Sequence, residues 1–270
     1  MYEADKRLEG YSKYTMKGYG LQSRLLIRYI GDVGVEDVTV FQLKQYLASL
    51  THLKTSSLSH RMKFIKSMFT WAHSEGLIAN NPSHKLKEPK MGTRIPKALR
   101  EEQVEALRIS CKTSLESALV EFFYTTGCRV GEVVTLNRSQ VDLDARSVKV
   151  VGKGNKEREV YFSIRCAIWL KRYLSERSDS DQALFVTERA PRRVSIGSVR
   201  YVIKRVAARA GIDESIYPHK MRHSYATHLL NNGAPLEIIQ DLLGHAKLET
   251  TRIYAQMSGH RRRELYQRYF

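Results

Sequence analysis

Apolar residues recur at helical spacing through the first third of the chain. This spacing predicts helices over residues 15–30, 40–50 and 59–76. In the third of these stretches Met62 and Phe69 share one apolar face, while lysine and arginine residues lie elsewhere on the helix surface. The pattern ends at Asn80-Asn81-Pro82, because proline lacks an amide hydrogen and disfavours a helix before it. We therefore predict a helical bundle over residues 1–85.

The rest of the chain combines predicted helices with one pair of strands. Residues 86–96 show little periodicity and are interpreted as a basic linker to a second domain, residues 97–270. Residues 147–151 and 157–162 have the character of strands, and the glycines and asparagine between them suit a turn. The predicted helices are 101–110, 115–125, 130–136, 167–175, 196–210 and 222–231. The fold class is thus mainly α with a small β-sheet, a helical bundle followed by an α+β domain.

The net charge of the chain indicates a class of binding partner. The 45 lysines and arginines exceed the 28 acidic residues, which gives a formal net charge of +17. Both predicted domains share the excess, and this favours a polyanion, because each neutralised phosphate releases a counterion. A surface kept soluble by basic residues would have the same composition, so charge alone leaves both interpretations open.

Cysteine usage and hydropathy bear on where the protein works. Cys111, Cys128 and Cys166 are odd in number and widely spaced, which fits neither a disulfide framework nor a zinc site. The N-terminus has no apolar signal core, and no apolar run approaches membrane-spanning length. We expect a soluble protein of a reducing, cytoplasmic interior.

The first motif with candidate chemistry is the pair Arg129 and Glu132. A very apolar predicted helix breaks at Gly127, and a second one begins beside Arg129. An arginine at such a junction offers a planar fork of donors suited to two phosphate oxygens, and Glu132, one turn further on, could hold that fork. A purely structural ion pair is the alternative interpretation.

Two further motifs supply basic groups. Lys153 lies at the tip of the predicted hairpin between Gly152 and Gly154, which would let the turn approach a ligand closely. A solvated charge on a turn is the alternative. His219 and Arg222 are three residues apart at a helix start and so point in a similar direction, where a helix N-terminus favours an anion.

The last motif is Leu242-Leu243-Gly244-His245, followed by Tyr254. Gly244 is expected to end a helix and so to place His245 on the following loop. Taken alone, Tyr254 would be an ordinary core or surface aromatic, since the chain has 15 tyrosines.

In their order and spacing these motifs resemble those of the tyrosine recombinase (phage integrase) family. The resemblance rests on Arg-x-x-Glu after Thr-Gly, a lysine in a hairpin, His-x-x-Arg-His, Leu-Gly-His, and a tyrosine nine residues later. It covers nearly all of the second domain, and the run Ala-Thr-His-Leu-Leu is most similar to Xer-type recombinases. The first domain resembles the family's core-binding domain in pattern only.

The resemblance implies a site-specific DNA recombinase that cleaves and rejoins strands through a 3′-phosphotyrosine intermediate. Its partner would be double-stranded DNA, bound by a tetramer on two sites and by a monomer or dimer when free. The task would be chromosome-dimer resolution or the integration and excision of a mobile element, at the nucleoid. The resemblance assigns nucleophilic attack to Tyr254, proton transfer to His219 and Lys153, phosphate binding to Arg129, Arg222 and His245, and support of the cluster to Glu132.

No metal or other cofactor is expected, because two arginines and a lysine can neutralise the phosphate charge. ATP is not needed either, since a phosphotyrosine link preserves the energy of the phosphodiester for rejoining. The basic end, residues 260–270, could dock on a neighbouring protomer or fold back on its own domain. The sequence is also compatible with two rival functions: a type IB topoisomerase with a similar residue set, and a non-catalytic DNA-binding protein of the same fold.

Overall fold

The structure, a computed structural model, describes residues 1–90, 98–152 and 156–244. The chain divides into two compact units, Met1–Thr93 and Arg94–Phe270. Each unit has a hydrophobic core of its own. No helix within the described ranges is long and apolar enough to cross a membrane.

The first unit is helical, as the apolar spacing predicts. Its α-helices are α1 (Tyr2–Leu8), α2 (Lys13–Ile30), α3 (Val40–Ser49) and α4 (Thr55–Ser74), with short 3-10 turns at Val35–Asp37 and Pro82–Lys85. Polar caps set two of the helix starts, because Ser12 accepts a hydrogen bond from the backbone of Thr15 and Thr39 forms a capping box with Gln42. Leu86 is buried in this core, so the packing of the unit continues beyond residue 85.

The second unit combines helices with a small sheet. Its α-helices are α5 (Glu101–Ile109), α6 (Ser114–Thr126), α7 (Val130–Val133), α8 (Ile164–Ser175), α9 (Ile196–Arg209), α10 (Pro218–Asn231) and α11 (Leu236–Leu243). Helix α6 is apolar on nearly every side and is buried against α8, α9 and α10. Gly127 follows this central helix, shortly before the candidate site residues Arg129 and Glu132.

The sheet is antiparallel, in the order β1 (Val141–Asp142), β2 (Ser147–Val151) and β3 (Glu157–Tyr161). Strands β2 and β3 are the predicted hairpin, with Val148 opposite Val160 and both side chains buried. The tip of the hairpin, residues 153–155, lies outside the described residues.

The structure corrects several predicted boundaries. The strand prediction missed β1, whose two residues are too short for an alternation to show. Helix α10 begins at Pro218 rather than at residue 222, because proline is well suited to the first helical position. Helix α8 begins at Ile164 rather than at residue 167, where Ser163 caps it, and α7 ends at Val133 rather than at residue 136. The prediction also missed α1, a helix of seven residues.

Candidate active site

A sharp turn at Gly127 places Arg129 at the surface of the second unit. Gly127 follows α6 with φ +60°, a left-handed conformation that side-chain-bearing residues rarely adopt. A Cβ at this position would lie 2.4 Å from Cδ1 of Tyr225, so the close packing of α10 also requires glycine. The Thr126 hydroxyl then accepts a hydrogen bond from the backbone N–H of Cys128 at 3.2 Å. The turn leaves Arg129 directly before α7.

Glu132 holds Arg129 at two points. Its carboxylate accepts one hydrogen bond from the Arg129 backbone N–H at 2.8 Å and another from Arg129 Nη1 at 2.8 Å. Burial alone would raise the pKa of the Glu132 carboxyl, but hydrogen bonds from Arg158 and Arg129 outweigh it and hold that pKa below its usual value. The Arg129 side chain stays 35% exposed, so its guanidinium can meet a ligand from the solvent side.

Arg158 is the second partner of Glu132, and the sequence interpretation missed it. Its Nη1 and Nη2 donate to the two carboxylate oxygens at 3.0 and 2.8 Å, the bidentate geometry that arginine favours. The sequence does contain a signal for it, the alternation of side chains along a strand. Arg158 lies two residues before the buried Val160 on β3 and so faces the same side of the sheet. An arginine on the buried face of a strand needs a charged partner, and Glu132 is that partner.

Arg222 lies deeper than Arg129. It is only 1% exposed, and its Nη1 and Nη2 donate to the backbone carbonyls of Gly127 and Leu243, both at 2.7 Å. The turn after α6 and the end of α11 therefore fix this guanidinium from two sides.

His219 begins α10 one turn before Arg222. The residue is exposed at the surface of the unit, yet its ring has lost part of its hydration and lies near two positive charges. Desolvation first, and then the charges of Arg222 and Arg129, lower its pKa below the usual value of 6.5. The neutral imidazole that this favours can accept a proton at neutral pH.

The carboxyl end of α11 gathers three arginines. The carbonyls of Leu242, Leu243 and Gly244 accept hydrogen bonds from Arg158 Nε at 3.0 Å, Arg222 Nη2 at 2.7 Å and Arg129 Nη2 at 3.1 Å respectively. These carbonyls lie at the C-terminal end of a helix. Carbonyl groups at that end lack hydrogen-bond partners within the helix and carry partial negative charge. One helix end thus orients three guanidinium groups.

The structure brings together four of the seven predicted site residues, Arg129, Glu132, His219 and Arg222. Lys153, His245 and Tyr254 lie outside the described residues. Gly152 and Lys156 close the described base of the hairpin, with a hydrogen bond of 2.8 Å from the Gly152 N–H to the Lys156 carbonyl.

Other reactive side chains near the site are structural. Burial raises the pKa of the Cys128 thiol to about 11 and that of the Tyr225 hydroxyl to about 12, so neither is poised to ionise at neutral pH. His228 packs between Tyr124 Oη, 2.7 Å from its Nδ1, and the Leu99 carbonyl, 2.8 Å from its Nε2. Among the described residues no cluster of histidine, cysteine and acidic side chains could hold a metal ion.

Comparisons with known proteins agree with this fold. Residues 97–261 match the model of the phage integrase family, and this range contains every candidate site residue. The chain is 36% identical to tyrosine recombinase XerD of Ralstonia nicotianae (strain ATCC BAA-1114 / GMI1000) over 276 residues, covering 96% of this chain and 88% of that protein. It is 31% identical to tyrosine recombinase XerC of Proteus mirabilis, covering 94% of this chain and 86% of that protein.

A solved structure shares the architecture at lower identity. The XerH site-specific recombinase, bound to a palindromic difH substrate in a post-cleavage complex, superposes with a TM-score of 0.77 at 20% identity, over 97% of this chain and 81% of that chain. The chain belongs to the phage integrase family, as a tyrosine-type site-specific recombinase of the Xer type.

Proposed function

We propose that this chain cuts and rejoins double-stranded DNA at specific sites through a covalent bond between Tyr254 and a 3′ phosphate. The observation that carries the proposal is the convergence of Arg129 and Arg222 on the end of α11, beside a histidine with a lowered pKa. Phosphoryl transfer places extra negative charge on the non-bridging oxygens in the transition state, and preorganised guanidinium groups suit that charge.

The cleavage step uses one proton acceptor and one proton donor. The Tyr254 hydroxyl attacks phosphorus, and His219 takes the phenolic proton, because a phenol with its ordinary pKa of about 10 needs a base. The bond from phosphorus to the 5′ oxygen breaks, and Lys153 protonates that oxygen as it leaves. Rejoining reverses each transfer, so no phosphodiester energy is lost. His245 donates a hydrogen bond to the same phosphate.

We propose that four protomers act on two DNA sites and exchange strands in pairs through a four-way junction. The net charge of +17 favours the DNA backbone as partner, and the related XerH structure is itself a complex with its DNA substrate. The protein would work at the nucleoid in the cytoplasm, and its task is chromosome-dimer resolution or mobile-element integration and excision. The location of its DNA site, in the host chromosome or at the ends of an element, decides between these tasks.

The test begins by finding that site. Genomic fragments retained by the purified protein are sequenced, and two copies of the recovered site are placed in direct repeat on a plasmid. The proposal predicts that the plasmid is resolved into two circles, each carrying one site.

The two rival functions give different products. A type IB topoisomerase would relax a supercoiled plasmid that carries no site and would yield no resolved circles. A non-catalytic DNA-binding protein would retain the fragments but form no covalent complex with them. Either result would contradict the proposal.

A further inference from the structure

Arg158 lies beside Glu132 in the candidate site and is more deeply buried than Arg129. Its side chain is 12% exposed, whereas that of Arg129 is 35% exposed. All three of its guanidinium nitrogens are engaged, two with the Glu132 carboxylate and one with the Leu242 carbonyl. This group therefore links β3, α7 and the end of α11.

Two glycines at the site leave room for this guanidinium. A Cβ added to Gly244, at φ +61°, would lie 3.0–3.2 Å from the Cδ, Nε and Nη1 atoms of Arg158. A Cβ added to Gly152 would lie 3.3 Å from Arg158 Nη1 and 3.5 Å from Glu132 Oε1. Arg158 therefore packs against the backbone of Gly152 and Gly244. In the sequence, these glycines directly precede the predicted site residues Lys153 and His245.

We propose that Arg158 is a positioning residue for DNA cleavage, holding the Glu132 carboxylate so that Arg129 is aimed at the scissile phosphate. The inference rests on the function proposed above. Each Glu132 carboxylate oxygen accepts one hydrogen bond from Arg158 and one from Arg129, so the Arg158 fork helps to fix the plane in which the carboxylate meets Arg129. Loss of the Arg158 fork would let Glu132 and the end of α11 shift, and Arg129 would shift with them.

A purely structural role is the alternative, and the chain offers a matched control for it. Arg177 is also buried, with 4% of its side chain exposed, and also binds one carboxylate with two nitrogens and backbone carbonyls with a third. Its partners are Asp179, Asp181, Ala183 and Leu184, and none of them is a candidate site residue. Lysine at either position keeps the charge but loses the fork.

The experiment measures single-turnover cleavage of saturating bound DNA by wild type, Arg158→Lys and Arg177→Lys, well below the melting temperature of each variant. We expect Arg158→Lys to cleave about 10- to 100-fold more slowly, as a small misplacement of a catalytic group does. Arg177→Lys should lose stability but cleave at the wild-type rate. In an Arg129→Lys background, Arg158→Lys should add little further slowing, because both changes act on one guanidinium.

Several results would overturn the inference. A wild-type rate for Arg158→Lys, or equal slowing by the two lysine variants, would make Arg158 a structural residue. If wild type itself formed no covalent complex with DNA, the proposed function would fail. That outcome is distinguishable from the two results on the lysine variants, because it concerns the wild-type protein.

A second variant covers the case in which Arg158→Lys does not fold. Gly152→Ala retains Arg158 but forces its guanidinium to move by a few tenths of an ångström. We expect slower cleavage on ordinary DNA and equally slow cleavage on DNA with a 5′-bridging phosphorothioate, whose leaving group does not need a proton. Rescue by sulfur would assign the defect to Lys153 instead, and a wild-type rate would show that the position of Arg158 does not matter; both contradict the inference.

Discussion

Replacement of Gly127 by alanine tests the turn on which the site is built. The backbone at this position has φ +60°, and the added methyl group would lie 2.4 Å from Cδ1 and 2.8 Å from Cε1 of Tyr225. Tyr225 is held in the packing between α10 and α11, so its ring cannot simply swing into solvent. The Gly127 carbonyl also accepts a hydrogen bond from Arg222, so a shift of this turn reaches the phosphate-binding group.

The expected loss of stability follows from two costs. A left-handed conformation costs alanine about 1–2 kcal/mol relative to glycine, and overpacking a well-packed site costs about 1–3 kcal/mol. Together they predict that Gly127→Ala lowers the free energy of unfolding by about 2–5 kcal/mol, which corresponds to a melting temperature about 4–20 °C lower for a unit of this size. Gly131, four residues away in α7, is the matched control, because a Cβ there meets nothing within 4 Å. Gly131→Ala should be neutral or stabilising by about 0.5–1 kcal/mol.

The assay is urea denaturation followed by tryptophan fluorescence. The chain has two tryptophans, Trp71 in the first unit and Trp169 in the second, so a Trp71→Phe background makes Trp169 the reporter of the second unit. Equal denaturation midpoints for Gly127→Ala and Gly131→Ala would refute the reasoning. A destabilised Gly127→Ala protein that still cleaved bound DNA at the wild-type rate would refute the link from this turn to Arg222.

Three further predictions concern the chemistry. Arg129→Ala and Arg222→Ala should each slow single-turnover cleavage by roughly two orders of magnitude or more while weakening DNA binding much less; Arg222→Ala should also lower the urea midpoint more, since it leaves a cavity and two unpaired carbonyls. A large loss of affinity with unchanged cleavage would make them binding residues. Lys153→Ala should be slow on ordinary DNA but largely rescued by a 5′-bridging phosphorothioate, and Arg129→Ala should not; equal defects on both substrates would remove Lys153 as the proton donor. Because the pKa of His219 is lowered, the fall of the second-order cleavage rate on acidification should have its midpoint below pH 6.5, and stability should also decrease as the pH falls through that range, because the unfolded chain then binds more protons. A midpoint above pH 6.5 would contradict His219 as the base.

Periodicity in the sequence predicts the long helices well, because burial of one face dictates the positions of apolar residues. Helix α4 is the clearest example, with Ile65, Phe69 and Ala72 completely buried. Short elements show no such pattern, since α1 and β1 are too short for a period to repeat. Helix starts depend on local caps: Pro218 begins α10 four residues before the predicted start, so His219 lies in its first turn.

The site was only partly accessible from the sequence. Motif order points to Arg129, Glu132, His219 and Arg222, and the structure places them at one location. No local pattern indicates that the carbonyls at the end of α11 bind arginines, because those contacts join residues up to 115 positions apart. The role of Arg158 is hidden for the same reason, since its partner Glu132 is 26 residues away.

The most direct test of the central claim is the identity of the covalently bound tyrosine. Wild type and Tyr254→Phe are incubated with a nicked suicide substrate carrying the recovered DNA site, and adducts are separated under denaturing conditions and mapped by peptide mass. We predict an adduct on the Tyr254 peptide in wild type, and none in Tyr254→Phe despite normal DNA binding, because only the attacking oxygen is lost. The local decoys are Tyr225, which is partly buried with its pKa raised to about 12, and the more exposed Tyr217. An adduct that persists in Tyr254→Phe, or that maps to either decoy, would contradict the account.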